Sequence, residues 1–129
     1  MDIEDIFDTP DTTEQYDVND IEANKLSSLC AYISILFLVP LLLCKDSKFA
    51  RFHTNQGIVL FILSAVLGVL TAVLSMILAL IPFIGGIISF VINLIVFGIV
   101  IYLTVLGMIN SATGKAKELP IIGKVKVLK

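Results

Sequence analysis

The sequence predicts an all-α membrane protein with three transmembrane helices plus a short interfacial amphipathic helix. Three observations carry that expectation. Sixty-one consecutive positions, Thr54 to Gly114, hold no Asp, Glu, Lys or Arg, and a second uncharged run extends from Leu26 to Cys44. A hydrocarbon layer about 30 Å thick takes about twenty apolar helical residues to cross, so the two runs hold enough chain for about three passages. Composition agrees, with 57% hydrophobic residues and a mean hydropathy of +1.00 over 129 residues. A chain of that size is one small unit with no room for a separate water-soluble catalytic domain.

The net charge of -2 conceals an asymmetry. Nine of the eleven acids precede Lys25, whereas eight of the nine bases follow Cys44. Residues 1–24 mix acids with Thr, Asn, Gln and scattered apolar residues without a sustained period, which predicts an acidic mobile N-terminal tail. Within it Asp20 is placed to cap, and Glu22 to favour, a helical turn leading into the membrane. The acidic start lacks a basic n-region and a small-residue cleavage pattern, so the first span is expected to stay as an anchor.

The membrane domain is expected over residues 25–114. Its first span, about 26–44, contains Pro40, which removes a backbone donor and should kink the helix near its end. Cys30 and Cys44 lie about 21 Å apart on that helix, too far to bridge, and read as small hydrophobes. An interfacial helix is expected over about 46–56. Asp46 or Ser47 would cap it, Phe49 and Phe52 would enter the acyl boundary, and Lys48 and Arg51 would lie among anionic headgroups. The second span, about 57–81, stops at Pro82, and Phe83-Ile84-Gly85-Gly86 makes a tight turn. The third, about 87–108, closes on a segment in which Gly114 takes the usual C-terminal position. The basic C-terminal tail, 115–129, offers further lysines to anionic headgroups. Three spans put the two basic regions on one side, so the bias of bases towards the cytoplasm predicts a multi-pass protein of the cell membrane with its N-terminus outside and its C-terminus cytoplasmic.

No catalytic constellation is legible, and none of the residues forms a cofactor site, a metal site or a nucleic-acid surface. His53 is the sole histidine, with Asp46 and Asn55 as its nearest possible partners in sequence. It reads as an interface residue or a structural hydrogen-bonding group, since catalysis would need partners. The Ser and Thr residues of the spans lack an accompanying base. Asn93 is the one strongly polar side chain deep in the third span and suits a bond to a hydroxyl on another helix. Ser64, Gly68 and Ala72 form a small-residue stripe that permits close helix packing, within the chain or in a homo-oligomer. No intramembrane acid or base marks an ion route.

The phrase Phe52-His53-x-x-Gln56-Gly57, preceded by a span ending Phe37-Leu38-Val39-Pro40 and followed by the tail Ala116 to Lys124, resembles the Tic-twenty-like family of small prokaryotic membrane proteins. That family is similar to the chloroplast inner-envelope import component and to proteins of magnetosome membranes that act in controlling crystal size. The resemblance covers about Leu26 to the C-terminus and implies that Phe52, His53, Gln56 and Gly57 form a family motif. Together the readings predict a non-enzymatic integral membrane protein, a packing or assembly component of a membrane complex. The alternative is an oligomeric pore or a protein-translocation channel component.

Overall fold

The computed structural model describes residues 8–128, so the first seven residues of the expected tail lie outside it. Every regular element is helical: a 3-10 turn at Thr13–Gln15, helix α1 (Val18–Leu29), 3-10 turns at Cys30–Tyr32 and Ser34–Phe37, a short helix α2 (Leu38–Leu43), and two long helices, α3 (Lys48–Leu78) and α4 (Ile84–Ala112). Among the described residues, only α3 and α4 are long and apolar enough to cross a membrane. The three-span expectation is therefore corrected to two.

The first apolar run fails as a span because its backbone is broken twice. Ser34 adopts φ 46, a left-handed conformation that ends any helix in an L-residue. Six residues later, Pro40 lacks an N–H and its ring crowds the carbonyl four residues back, which holds Ser34–Phe37 in 3-10 geometry rather than α. What remains continuous, Ser34–Leu43, is about 15 Å long, half a hydrocarbon layer. The run instead straps across the hairpin of α3 and α4. A Cβ placed on Gly57 would lie 1.9 Å from the carbonyl oxygen of Ala31, and one on Gly107 would lie 2.3 Å from the Tyr32 ring. The strap thus sits on α3 and α4 at two glycines, where no side chain stands in the way.

The separate interfacial helix is also corrected. Ser47 caps α3 as expected, accepting from the Ala50 amide at 3.0 Å, but the helix continues from Lys48 without a break into the apolar span. Asp20 does not cap α1; Asp17 does, accepting from the Asn19 amide. Asp20 reaches across to the start of α3, accepting from Ser47 Oγ at 2.5 Å and from the Phe49 amide at 3.0 Å. A carboxylate at that helix N-terminus meets unpaired amides and the positive end of the helix dipole. Residues 18–24, expected within the tail, are thereby part of a helix that positions α3.

The hairpin turn follows Leu78 and contains Pro82 and Phe83, and Gly85 packs so closely that a Cβ would meet the Leu78 carbonyl at 1.8 Å. At the far end α4 closes with Gly114 at φ 75, the Gly114 amide bonding Ser111 O and the Lys115 amide bonding Asn110 O. These are the paired bonds of a glycine-terminated helix. The chain then returns along its own beginning: the Thr12 amide bonds Ala116 O at 3.0 Å, and the Glu118 amide bonds Pro10 O at 3.1 Å. Hydrogen bonds between the two tails cannot cross a bilayer. The expectation of an outer N-terminus and an inner C-terminus rested on three spans, and among the described residues two helices are long and apolar enough to cross.

Two parts of different chemistry result. The lower turns of α3 and the last turns of α4, wrapped by α1, the strap and both tails, form a cap with a packed interior of Ala31, Tyr32, Leu60, Leu103 and Leu119, beside a second cluster of Ile21, Phe49 and Ala116. Beyond Phe61 and before Tyr102 the hairpin carries exposed Ile, Leu, Val and Phe on most of its surface. From Phe61 to Leu80 the rise is about 30 Å, the thickness of a hydrocarbon layer. Such a surface is stable in lipid and prone to aggregation in water.

Candidate functional site

The expected site residues Phe52, His53, Gln56 and Gly57 occupy successive turns of α3 where the cap is densest. His53 is fully buried. Its Nε2 lies 2.9 Å from the Lys115 carbonyl, an acceptor only, so Nε2 carries the hydrogen; Nδ1 then accepts from the Tyr32 hydroxyl at 2.5 Å. The ring is packed edge-on against Tyr32, Phe49 and Phe52, with centroids 4.7–5.5 Å away. Both nitrogens are engaged, so the geometry gives His53 a structural place joining the strap to the chain just after α4.

Gln56 uses both ends of its amide. Its Nε2 donates to Gly123 O at 2.9 Å and its Oε1 accepts from the Leu119 amide at 2.9 Å. Asn55 does the same further along, with Nδ2 donating to Val125 O at 2.8 Å and Oδ1 accepting from the Val127 and Leu128 amides. His53, Asn55 and Gln56 therefore pin three successive pieces of the C-terminal segment to one helix. A segment with no regular structure of its own has its backbone groups satisfied by side chains, which is what burying an irregular segment demands. Sequence reasoning passed over Asn55 as a site residue and missed Tyr32 and Asp20 in these roles. The available signal was three amide or imidazole side chains within four positions at the mouth of an uncharged run.

Phe52 and Phe49 do not enter the acyl boundary. Both meet Tyr16 edge-on, at 6.0 and 6.2 Å between centroids, and Phe49 is fully buried. The physical reason is that the N-terminal segment folds back to cover this face before lipid can. On the same surface Tyr16, Lys48, Arg51, Phe52, Asn55 and Lys126 line a cleft of about 380 Å³. Lys126 stands 5.7 Å from the Phe52 ring centre and 3.6 Å from the Glu118 carboxylate. Where the tails meet, the Thr13 hydroxyl and amide both donate to Asp11, and these bonds hold its carboxyl below the usual carboxylate range. Burial pushes the Tyr16 phenol up.

The packing residues expected in the spans divide. Asn93 does bond across the hairpin, donating to Ser75 Oγ at 3.0 Å, and Ser89 bonds Ser75 at 2.7 Å. Ser64, Gly68 and Ala72 are not covered by another helix of the chain as self-packing would require: Ser64 returns its hydroxyl to Leu60 O, a Cβ on Gly68 would find nothing within 4 Å, and Ala72 is exposed. Among the described residues, no three His, Cys, Asp or Glu side chains come together in a way that could hold a metal ion.

A two-helix hairpin with an apolar outer half, closed at its base by a hydrogen-bonded polar cap, defines a small helical membrane protein. The model of the magnetosome magnetite crystal formation protein family, MamF/MmsF, matches residues 22–126, and the chain belongs to that family. This overturns the placement in the Tic-twenty-like family: the Phe-His-x-x-Gln-Gly phrase and the basic tail that suggested it lie inside the stretch matched by the magnetosome family. No curated protein and no solved structure matches the chain.

Proposed function

We propose that this protein is a non-enzymatic component of the magnetosome membrane that serves magnetite crystal formation by assembling with other membrane spans, first of all those of its own copies. Family membership supports the process and the membrane. The observation that carries assembly is the unfinished polar chemistry of the hairpin. Asn93 lies midway along the exposed apolar stretch of α4, where the bilayer centre falls. Each hydrogen bond it makes among the described residues is donated by Nδ2, so the amide oxygen keeps its acceptor capacity in a medium without water. A donor from a second molecule would satisfy it, for a gain of about 1 kcal/mol or less per bond, and the uncovered Ser64, Gly68 and Ala72 stripe permits close approach. The hydroxyls of Ser64, Thr71 and Thr104 bond to carbonyls of their own helices, which supports assembly over the channel alternative.

Association is tested by sizing and cross-linking in mild detergent. Gly68→Leu and Asn93→Leu are each expected to remain folded, because neither position is enclosed, while the distribution shifts from oligomer to monomer. An unchanged oligomer in both variants, or a monomeric parent protein, would remove the support for assembly.

The composition of the cap supports an orientation. It holds all the described bases, and the hairpin turn holds none. The bias of bases supports a cap on the cytoplasmic side, with both tails, and the turn on the far side of the membrane. In sealed membrane vesicles, with Cys30 and Cys44 replaced, Glu14→Cys and Lys124→Cys should share one fate towards an impermeant thiol reagent and Phe83→Cys the opposite one. Different fates for Glu14→Cys and Lys124→Cys would sink the two-span arrangement.

A further inference from the structure

The strap has two faces, and the cap uses one of them. Ala31 and Tyr32 rest on Gly57 and Gly107, and the Phe37 ring meets the Phe61 ring at 5.4 Å between centroids. The other face consists of Ile35, Leu36, Leu38, Leu42 and Leu43, all exposed, with Leu42 at 58% and Leu43 at 78%. Side chains of this kind are driven out of water, and no part of the described chain covers them. Their surface is continuous with the exposed apolar surface of the hairpin, because Phe61, the partner of Phe37, begins that stretch on α3. The strap also turns back. Ile33 and Ser34 share a cleft of about 490 Å³ with Phe61, Ser64 and Ala65, so the tip reaches the first turn of the stretch, about 6 Å along α3 from Phe61. From there α2 packs against Cys30–Tyr32 and α1, and exposed Lys45 and the capping Ser47 follow at the polar cap.

We infer that the strap is a one-sided wedge, through which this chain binds preferentially to membrane that is convex on the cap side. On that side the bilayer has to accommodate α3, α4 and the strap. On the side of the hairpin turn it meets α3 and α4 alone, each about 10–12 Å across. An apolar helical face at a depth of about 5–10 Å lies at the boundary between headgroups and acyl chains, where binding responds to curvature and lipid packing. Convexity spreads the headgroups of the cap-side leaflet and uncovers hydrocarbon that the strap leucines fill. In a flat leaflet the same side chains must force the headgroups apart. The breaks at Ser34 and Pro40 thus have a consequence beyond spoiling a span: they keep an apolar run in one leaflet. The inference rests on the membrane placement proposed above, and it holds whichever side the cap occupies.

The test reconstitutes the full chain, carrying Lys124→Cys with Cys30→Ala and Cys44→Ala, into giant vesicles of phosphatidylcholine and phosphatidylglycerol. An impermeant thiol dye added outside labels only molecules whose caps face outwards, and narrow tubes, convex on their outer surface, are then drawn from the vesicles. The ratio of protein to lipid fluorescence on the tube, relative to the parent vesicle, is expected to be about twofold or more and to grow as the tube narrows. Leu36→Ala, Leu42→Ala and Leu43→Ala together should remove the enrichment. Met76→Ala, Leu80→Ala and Ile87→Ala together, which trim exposed side chains near the turn, should leave it in place. Neither set should lower the melting temperature in detergent, since none of these side chains is enclosed. Should the strap set fail to fold, Leu43→Gln decides the matter alone by reducing the enrichment. Equal protein density on tube and vesicle, or an enrichment that survives the strap substitutions, would overturn the wedge. A strap variant that shifts from oligomer to monomer on sizing would overturn it as well, because a second copy then covers that face. Uniform insertion leaves the membrane placement standing, whereas failure to insert at all removes both.

Discussion

His53→Ala should abolish most of the folded protein. The substitution empties a site enclosed by three aromatic rings and leaves the Tyr32 hydroxyl and the Lys115 carbonyl without partners. Each unsatisfied buried group costs about 1–3 kcal/mol, and truncating a buried aromatic ring typically costs about 3–5 kcal/mol through lost contacts and the cavity left behind. The combined loss is comparable with the whole stability of a small domain, about 5–15 kcal/mol. Thermal unfolding in detergent measures it: a large fall in melting temperature or loss of monodisperse protein is expected. A melting temperature within a degree or two of the parent would mean that the ring does not hold the cap together.

Gly57→Ala should be nearly as damaging, although it adds a single methyl group. Its Cβ would lie 1.9 Å from the Ala31 carbonyl oxygen, and the obstacle is backbone, which cannot turn aside as a side chain can. The strap would have to lift from α3, carrying Tyr32 away from His53. A cost of about 3 kcal/mol or more is expected, at the upper end of overpacking penalties. Gly68→Ala on the same helix supplies the contrast. With nothing within 4 Å of the added atom it should be neutral or stabilising by up to about 1 kcal/mol, the helix preference of Ala over Gly. Chemical unfolding of the two variants side by side separates them. Equal effects would show that the close approach at Gly57 is not maintained in solution.

The helix boundaries and the hairpin were largely legible, because they depend on signals local to the chain. Ser47 as a cap, Pro82 in the turn, and Gly114 after the last helix act through their own backbone geometry, and their effect does not depend on what packs nearby. The failure at residues 26–44 is instructive for the opposite reason. Hydropathy registers how much apolar chain is present but not whether its backbone stays helical, and the left-handed Ser34 is held by the seat that Gly57 and Gly107 make for Ala31 and Tyr32. Those glycines are 26 and 75 residues from Ala31 and Tyr32 respectively. The family phrase was found as a pattern of residue types, yet Gln56 and the Nε2 of His53 find their partners in the C-terminal segment, more than sixty positions away, and the Nδ1 of His53 bonds Tyr32 in the strap.

By itself, then, the sequence determined that this is an all-helical chain for a membrane, with its charge gathered outside the apolar runs. Those properties follow from transfer free energies and periodicities that sum along the chain. Only the tertiary structure decided that two described helices rather than three are long and apolar enough to cross, that the two tails hydrogen-bond to each other, and that the aromatic face of the first turns of α3 packs against Tyr16. Each of these turns on which of two apolar surroundings a segment prefers, bilayer or protein interior. Hydrophobicity barely distinguishes the two. The balance is tipped by close backbone contacts at Gly57 and Gly107 and by the bonds that His53, Asn55 and Gln56 make to distant backbone groups.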